Sequence, residues 1–255
     1  MAIIKNEIPI LEFDTEQTAV LNPTHENLGL NVPKKCVFAF LGAYIDEYAS
    51  KSDTKQVSTF ESATKHYPIY ITKYKGEDIV LCQAPVGAAA ATQILDWLIG
   101  YGVREVISAG SCGALEKFPE STFLVPNKAL RDEGTSYHYA PPSRFVEISE
   151  KARKAIEETI LEHSMKYQEV ITWSTDGFFR ETKEKVAYRK SEGCAVVEME
   201  CSALAACADF RGATWGMILY TADSLADVDK YDERNWGGNA YEYALTLCLD
   251  AVIKL

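Results

Sequence analysis

The sequence predicts a single α/β domain built on a largely buried mixed sheet covered by helices. Short apolar runs alternate with longer amphipathic stretches from end to end, and no linker or internal repeat interrupts them. The 255 residues are 47% apolar, enough chain for one full core. Residues 1–33 read as an irregular arm punctuated by Pro9, Pro23 and Pro33, so the chain divides into an arm, 1–35, and one domain, 36–255. Cys36–Leu41 is a continuous apolar run ending in Gly42, as in a buried strand. Ile69–Tyr74 and Asp78–Gln83 flank Lys75-Gly76 and form a hairpin. Val86–Tyr101 is a helix with Ile94, Leu95, Trp97 and Leu98 on its apolar side. Strands follow at Glu105–Ala109, Thr122–Val125, Glu169–Thr172 and Thr214–Thr221, and helices at Val146–Ser164, Lys183–Glu192, Met199–Phe210 and Trp236–Ile253. In such a fold, the loops after strand C-termini are the places to look for function.

Composition narrows the choice of partner. A formal net charge of −11 argues against nucleic acid and anionic membranes, and leaves small neutral or anionic molecules as ligands. The seven cysteines are odd in number, lie in apolar segments and show no CxxC spacing. They read as reduced thiols of a cytoplasmic protein, with neither a disulfide framework nor a metal site. Met1–Pro9 lacks the pattern of a secretory signal, and no run of eighteen apolar residues suggests a membrane span.

The most informative stretch is Val196–Leu204, which places Glu198 and Glu200 inside the apolar run Cys194–Ala208. Buried carboxylates are costly without partners. They signal either a structural ion pair or a site that needs fixed negative charge. A ribose is one such ligand, because a single carboxylate can accept hydrogen bonds from two vicinal hydroxyls. It can also stabilise positive charge that develops on the sugar during glycosidic cleavage. Gly110-Ser111-Cys112-Gly113 follows a strand and reads as an anion or sugar cradle, or as a plain tight turn. Ala84–Ala91 leads into a helix N-terminus, which suits either an anion or close helix packing. Arg131–Tyr139 has the polar and aromatic composition of a loop, functional or merely solvated. Trp173–Thr182 sets Phe178 and Phe179 beside Arg180, aromatic faces that fit a nucleobase or a core. Asp223 closes a strand next to an apolar wall, where a raised pKa would suit an acid, with Arg234 eleven residues on to orient it; a helix-capping Asp is the alternative.

The combination of GSCG at Gly110–Gly113, VEME at Val197–Glu200 and the later Asp223, in that order, resembles the nucleoside phosphorylase/nucleosidase superfamily over roughly residues 36–253. That group contains purine nucleoside phosphorylases, uridine phosphorylases and methylthioadenosine/S-adenosylhomocysteine nucleosidases. The segment Asp132–Tyr139 looks like a branch labelled nucleoside phosphorylase. The resemblance implies a three-layer α/β/α sandwich with a mixed, partly barrel-like central sheet. It also implies Met199 and Glu200 on the ribose, with Phe178, Phe179 and Arg180 around the base. Asp223 would protonate the purine at N7, assisted by Arg234. Because uridine phosphorylases lack that Asp, the base is expected to be a purine and the role purine salvage. No cofactor is expected, only inorganic phosphate as co-substrate, held by Gly42, Lys65, Ser108, Gly110 and Ser111. A homo-oligomer (dimer, trimer or hexamer) would let Lys65 and His66 reach a neighbouring subunit's site.

One departure bears on the reaction. Family phosphorylases carry an arginine just before the GSCG-type turn and another after the first strand's glycine; here the first place holds Ser108, and Gly42–Glu47 has none. Hydrogen bonds to charged groups contribute roughly 1.5–3 kcal/mol each, so losing two clamps weakens phosphate binding. Arg131 and Arg180 are possible substitutes. Gly42–Glu47 also resembles the nucleosidase segment whose last Glu activates water, which puts Glu47 in that role. The ranked expectations are phosphorolysis of a purine nucleoside, then hydrolysis, then a non-catalytic nucleoside-binding protein.

Overall fold

Alternation along single strands builds the layers. In the computed structural model, which describes residues 3–255, Cys36 and Phe38 of the first strand join one core while Val37 and Ala39 join another. Successive side chains of a strand point to opposite faces, so a sheet apolar on both faces must be covered twice. The strands are β1 (Lys35–Ala39), β2 (Thr54–Glu61), β3 (His66–Tyr74), β4 (Glu77–Gln83), β5 (Glu105–Ala114), β6 (Phe123–Asp132), β7 (Phe145–Glu147), β8 (Gln168–Thr175), β9 (Cys194–Glu198) and β10 (Thr214–Ser224). The helices are α1 (Tyr44–Lys51), α2 (Ala88–Gly100), α3 (Glu150–Glu162), α4 (Lys183–Ser191), α5 (Cys201–Phe210) and α6 (Tyr241–Val252). Helices α2 and α5 bury Leu95, Leu98 and Leu204 against one face of the sheet. Helices α1, α3 and α6 bury Ile45, Ile156 and Leu249 against the other. The expected three-layer α/β/α arrangement is present.

The sheet is mixed and partly closed. Its strand order is β10-β6-β8-β9-β5-β1-β4-β3-β2, and β10 also pairs with β5, so β5, β10, β6, β8 and β9 form a ring. β1–β4, β1–β5, β5–β10, β6–β8 and β8–β9 are parallel, and β5–β9, β6–β10, β3–β4 and β2–β3 are antiparallel. Closing five strands brings the C-terminal ends of β5, β8 and β10 and the end of β9 to one region. The N-terminal arm lies on this domain: Trp97 Nε1 donates to Glu26 at 3.1 Å and Arg211 Nη1 to the Gln17 carbonyl at 2.6 Å. Among the described residues no helix is long and apolar enough to cross a membrane, and all seven cysteines are buried free thiols.

The structure differs from three sequence expectations. The GSCG segment is not a turn after a strand but the end of β5, which runs on to Ala114 because small residues tolerate pairing with both β10 and β9. Gly113 is needed there: a Cβ would lie 2.9 Å from Leu225 and 3.3 Å from an Asp223 carboxylate oxygen. Arg131–Tyr139 is not a solvated loop. Arg131, Glu133 and Ser136 are buried, and Arg131 donates to Ser136 Oγ, Ser143 Oγ and the carbonyls of Ala140 and Pro141. The helix expected from Val146 starts instead at Glu150, capped by Ser149, because Phe145–Glu147 pairs with β6 as β7.

Candidate active site

Glu198 and Glu200 sit at the junction of β9 and α5, and the chain gives them different tasks. Glu198 accepts the N–H groups of Glu200 at 2.7 Å and Cys201 at 2.6 Å, as well as the hydroxyls of Ser174 at 2.6 Å and Thr172 at 3.1 Å. It therefore binds the free N–H groups at the start of α5 and ties β8 to β9. Glu200 turns the other way and accepts from the Gly87 N–H at 2.6 Å, with the Met199 N–H also acting on it. Gly87 precedes α2 with φ +102°, a conformation that favours glycine, which explains the small residues before that helix. Among the described residues neither carboxylate has a Lys or Arg partner, so the ion-pair alternative for this motif does not hold. Burial pushes both above the ordinary carboxylate value. Four donors concentrate the negative charge on Glu198, and Glu200 is pushed to about 8 by burial and then by the charge of Glu198.

Glu200 faces a cavity of about 330 Å³. Gly110–Gly113 form one wall, Val197–Glu200 another, and Phe40, Val86, Phe178, Met217 and Trp236 supply apolar surface. Asp223 closes the far side at the end of β10, and Glu181 stands beside it. Asp223 is buried, and that burial raises its pKa against the lowering effects of hydrogen bonding and of the Arg234 charge. Tyr231 donates its hydroxyl to Asp223 Oδ2 at 3.1 Å. Burial and then the charge of Asp223 push Glu181 up to about 7. The lining contains four carboxyls and no Lys or Arg. Among the described residues no group of three or more His, Cys, Asp or Glu side chains is arranged to hold a metal ion.

The structure brings together only part of the expected set. Met199, Glu200, Phe178, Gly110, Ser111 and Asp223 line the cavity. Phe179 does not: it is 92% exposed, packs edge-on against Phe178 and borders an outer recess that adjoins the cavity. Arg180 is exposed and lines neither space, because the short helical turn Phe178–Arg180 directs successive side chains apart. Arg234 is not in the cavity; it donates to the Phe118 carbonyl at 2.8 Å and faces Asp232. Ser108 is fully buried, accepts from Trp215 Nε1–H at 3.0 Å and does not line the cavity. Gly42 and Glu47 are exposed and outside the cavity; α1 buries Ile45 and Ala49, which turns Glu47 to the opposite side. Lys65 is at the exposed tip between β2 and β3, bonded to Gln83 Oε1 at 3.2 Å. Arg131 is spent on its own segment. Sequence reasoning missed Glu181, Tyr231 and Trp236. Glu181 precedes a run of charges that reads as a solvated helix start, Tyr231 lies in an aperiodic loop, and Trp236 reads as the first residue of the last helix, which starts instead at Tyr241.

Residues 34–254 match the model of the phosphorylase superfamily. The chain belongs to that superfamily. It is thereby a member of the nucleoside phosphorylase/nucleosidase enzymes, whose individual reactions differ. A 5'-methylthioadenosine/S-adenosylhomocysteine nucleosidase of Buchnera aphidicola is 30% identical over 158 residues, 57% of this chain and 67% of that protein. A guanosine phosphorylase of Halorubrum lacusprofundi is 24% identical over 83% of this chain and 89% of its own. In structure, a uridine phosphorylase from Vibrio fischeri superposes with a TM-score of 0.77 at 23% identity, covering 89% of this chain and 95% of that one, a likeness of fold alone.

Proposed function

We propose that this protein cleaves the N-ribosidic bond of a purine nucleoside and passes the ribosyl group to water. The observation that carries cleavage is the placement of Glu200 and Asp223 in one cavity with Phe178. In its ionised form, Glu200 accepts hydrogen bonds from the sugar hydroxyls and stabilises the positive charge that grows on the ribose as the bond breaks. Asp223, whose neutral form is favoured by burial, gives its proton to the purine ring and makes the base a better leaving group. Tyr231 is a positioning residue that holds the Asp223 carboxyl. Water adds to the sugar carbon, and its proton replaces the one Asp223 gave up, so the step is balanced. The cavity, about 330 Å³, lies within the usual range for small-ligand sites.

Water ranks ahead of phosphate because of charge. A phosphate anion entering a space lined by four carboxyls finds no cation to hold it, and Ser108 does not reach that space. Glu47 lies outside the cavity and is not placed to activate water there. Phosphorolysis, the first expectation from sequence, is the second reading, favoured by the exposed Ser111 beside Gly110 in the wall. It requires a cation from a neighbouring subunit, for which Lys65 on its exposed tip is the candidate, and hence a homo-oligomer. Product analysis separates the two. Incubation of purine nucleosides in phosphate-free buffer should give base and free ribose in equal amounts. Base release that requires phosphate and yields ribose-1-phosphate would establish the second reading, and light scattering should then show no active monomer.

A further inference from the structure

The nucleoside cavity opens at one end onto a second space. This outer recess has a volume of about 420 Å³ and shares Phe178, Asp223 and Trp236 with the cavity, while Phe179, Leu225 and Tyr231 belong to it alone. Phe178, Phe179, Tyr231 and Trp236 are all exposed. Single exposed apolar side chains are ordinary, but a cluster of aromatic rings around one recess marks a surface that meets a ligand. The polar groups there are mostly occupied. The Tyr231 hydroxyl is turned onto Asp223, and the Thr182 hydroxyl accepts from the Lys185 N–H. Glu181, pushed up to about 7 by burial, is readily protonated and tolerates an apolar neighbour. Trp236 is held in a strained conformation: its φ is +53°, a left-handed backbone that is rare for a bulky residue. Glu120 Oε1 pins both of its neighbours, accepting from the Asn235 N–H at 2.9 Å and from the Gly237 N–H at 3.4 Å. Such strain persists only where the surroundings over-determine it, and it clusters at ligand clamps.

The recess lies beside a defined part of the base. In a purine, the exocyclic group at C6 is on the same edge as N7. Asp223, acting at N7 and lining both spaces, therefore directs whatever C6 carries into the recess. We propose that the recess is a subsite for an apolar group on the base, that the preferred substrates are purine nucleosides with an aryl or branched alkyl substituent on the amine at C6, and that Phe179 and Trp236 determine this specificity. This rests on the purine-nucleoside reading above. Such a substituent buries apolar surface against the aromatic rim in the bound and transition states alike, and so raises kcat/KM. An unsubstituted purine leaves the rim exposed to water and gains nothing from it.

The test uses adenosine and N6-benzyladenosine with the wild type and with Phe179→Ala, whose side chain is too exposed for its removal to disturb the core. The wild type should favour N6-benzyladenosine over adenosine by about tenfold or more in kcat/KM. In Phe179→Ala that ratio should fall to within about threefold, because part of the apolar rim is gone. A wild type that cleaves adenosine as well as or better than N6-benzyladenosine would overturn the assignment, as would a ratio unchanged in Phe179→Ala. If that variant instead changes the oligomeric state in light scattering and keeps the ratio, the rim seats a second copy of the chain and the assignment fails. Calorimetric titration of the wild type with the same two nucleosides provides the independent measurement. If neither is cleaved, the reaction reading fails by itself, while tighter binding of N6-benzyladenosine still supports the subsite and equal or weaker binding rejects it.

Discussion

Two regions of this molecule gather carboxylates, and they treat them in opposite ways. Around Asp132, at the end of β6, every charge is answered. Lys185 lies 2.7 Å away, Arg189 3.1 Å, and Trp173 Nε1 donates at 2.9 Å, so these donors outweigh burial and hold Asp132 below the usual carboxylate range. Nearby Glu133 accepts from the Ser202 hydroxyl and the Ser136 N–H, both at 2.9 Å. In the cavity, by contrast, Glu181, Glu200 and Asp223 have few partners or none, and burial holds all three above their ordinary values. Satisfied carboxylates near Asp132 tie elements together. Those in the cavity are left with acceptor capacity and with protons that are easily moved, the state expected of groups waiting for a ligand.

Glu198 tests the boundary between the two kinds, because it lines the cavity yet has four donors. The comparison places it with the structural carboxylates. Glu198→Ala should lower stability by about 3 kcal/mol or more, since two N–H groups and two hydroxyls lose a charged acceptor. Chemical denaturation followed by circular dichroism measures this, and a loss below about 1 kcal/mol would move Glu198 into the other class.

Glu200→Gln should behave in the reverse manner. The fold persists, while kcat/KM for a cleaved nucleoside falls at least about tenfold, because an anionic acceptor for the sugar hydroxyls is lost. Asp132→Asn sharpens the contrast from the other side. Its expected cost is about 1–2 kcal/mol of stability, with kcat/KM within about twofold of wild type. Loss of activity in that variant at a temperature where it is fully folded would blur the distinction between the regions.

A further test is a trend with pH. The folded-state pKa of Glu200 is raised to about 8 from an ordinary 4.5, so the unfolded chain gives up this proton at lower pH than the folded one. That contribution to stability is fully present below about 4.5 and is lost as pH rises through about 8. Differential scanning fluorimetry should show the Tm of wild type falling relative to that of Glu200→Gln between pH 5 and pH 8. A Tm difference that stays constant over that range would mean that Glu200 is already ionised in the folded protein throughout it.

Much of the architecture was legible because apolar periodicity reports the faces of a sheet directly. β1, β4, α2 and α5 fall near where the sequence places them. β2 escaped because Thr54–Glu61 is an outer strand with polar residues on its exposed side, so it has no apolar run. The true extent of β5 escaped because GSCG carries turn residues, although two neighbouring strands supply its hydrogen bonds. At the site, Glu200, Asp223 and Phe178 were visible as residue types that are costly or unusual in their local setting. Their partners were not, because those contacts come from folding at a distance. Gly87 is 113 residues from Glu200, and Tyr231 enters through a loop with no pattern of its own. Ser108 shows the converse: the missing arginine was plain in the sequence, while its use as a buried partner for Trp215 required the packed sheet.

The central claim is that an incompletely satisfied carboxyl, Asp223, supplies a proton to the base while Glu200 holds the sugar. Its most direct measurement compares Asp223→Asn with wild type on inosine and on 7-methylinosine. The account predicts a loss of about a hundredfold or more in kcat/KM on inosine, which needs the proton, and a much smaller loss on 7-methylinosine, whose base is already cationic. Equal losses on the two substrates would contradict it and remove Asp223 from the acid role.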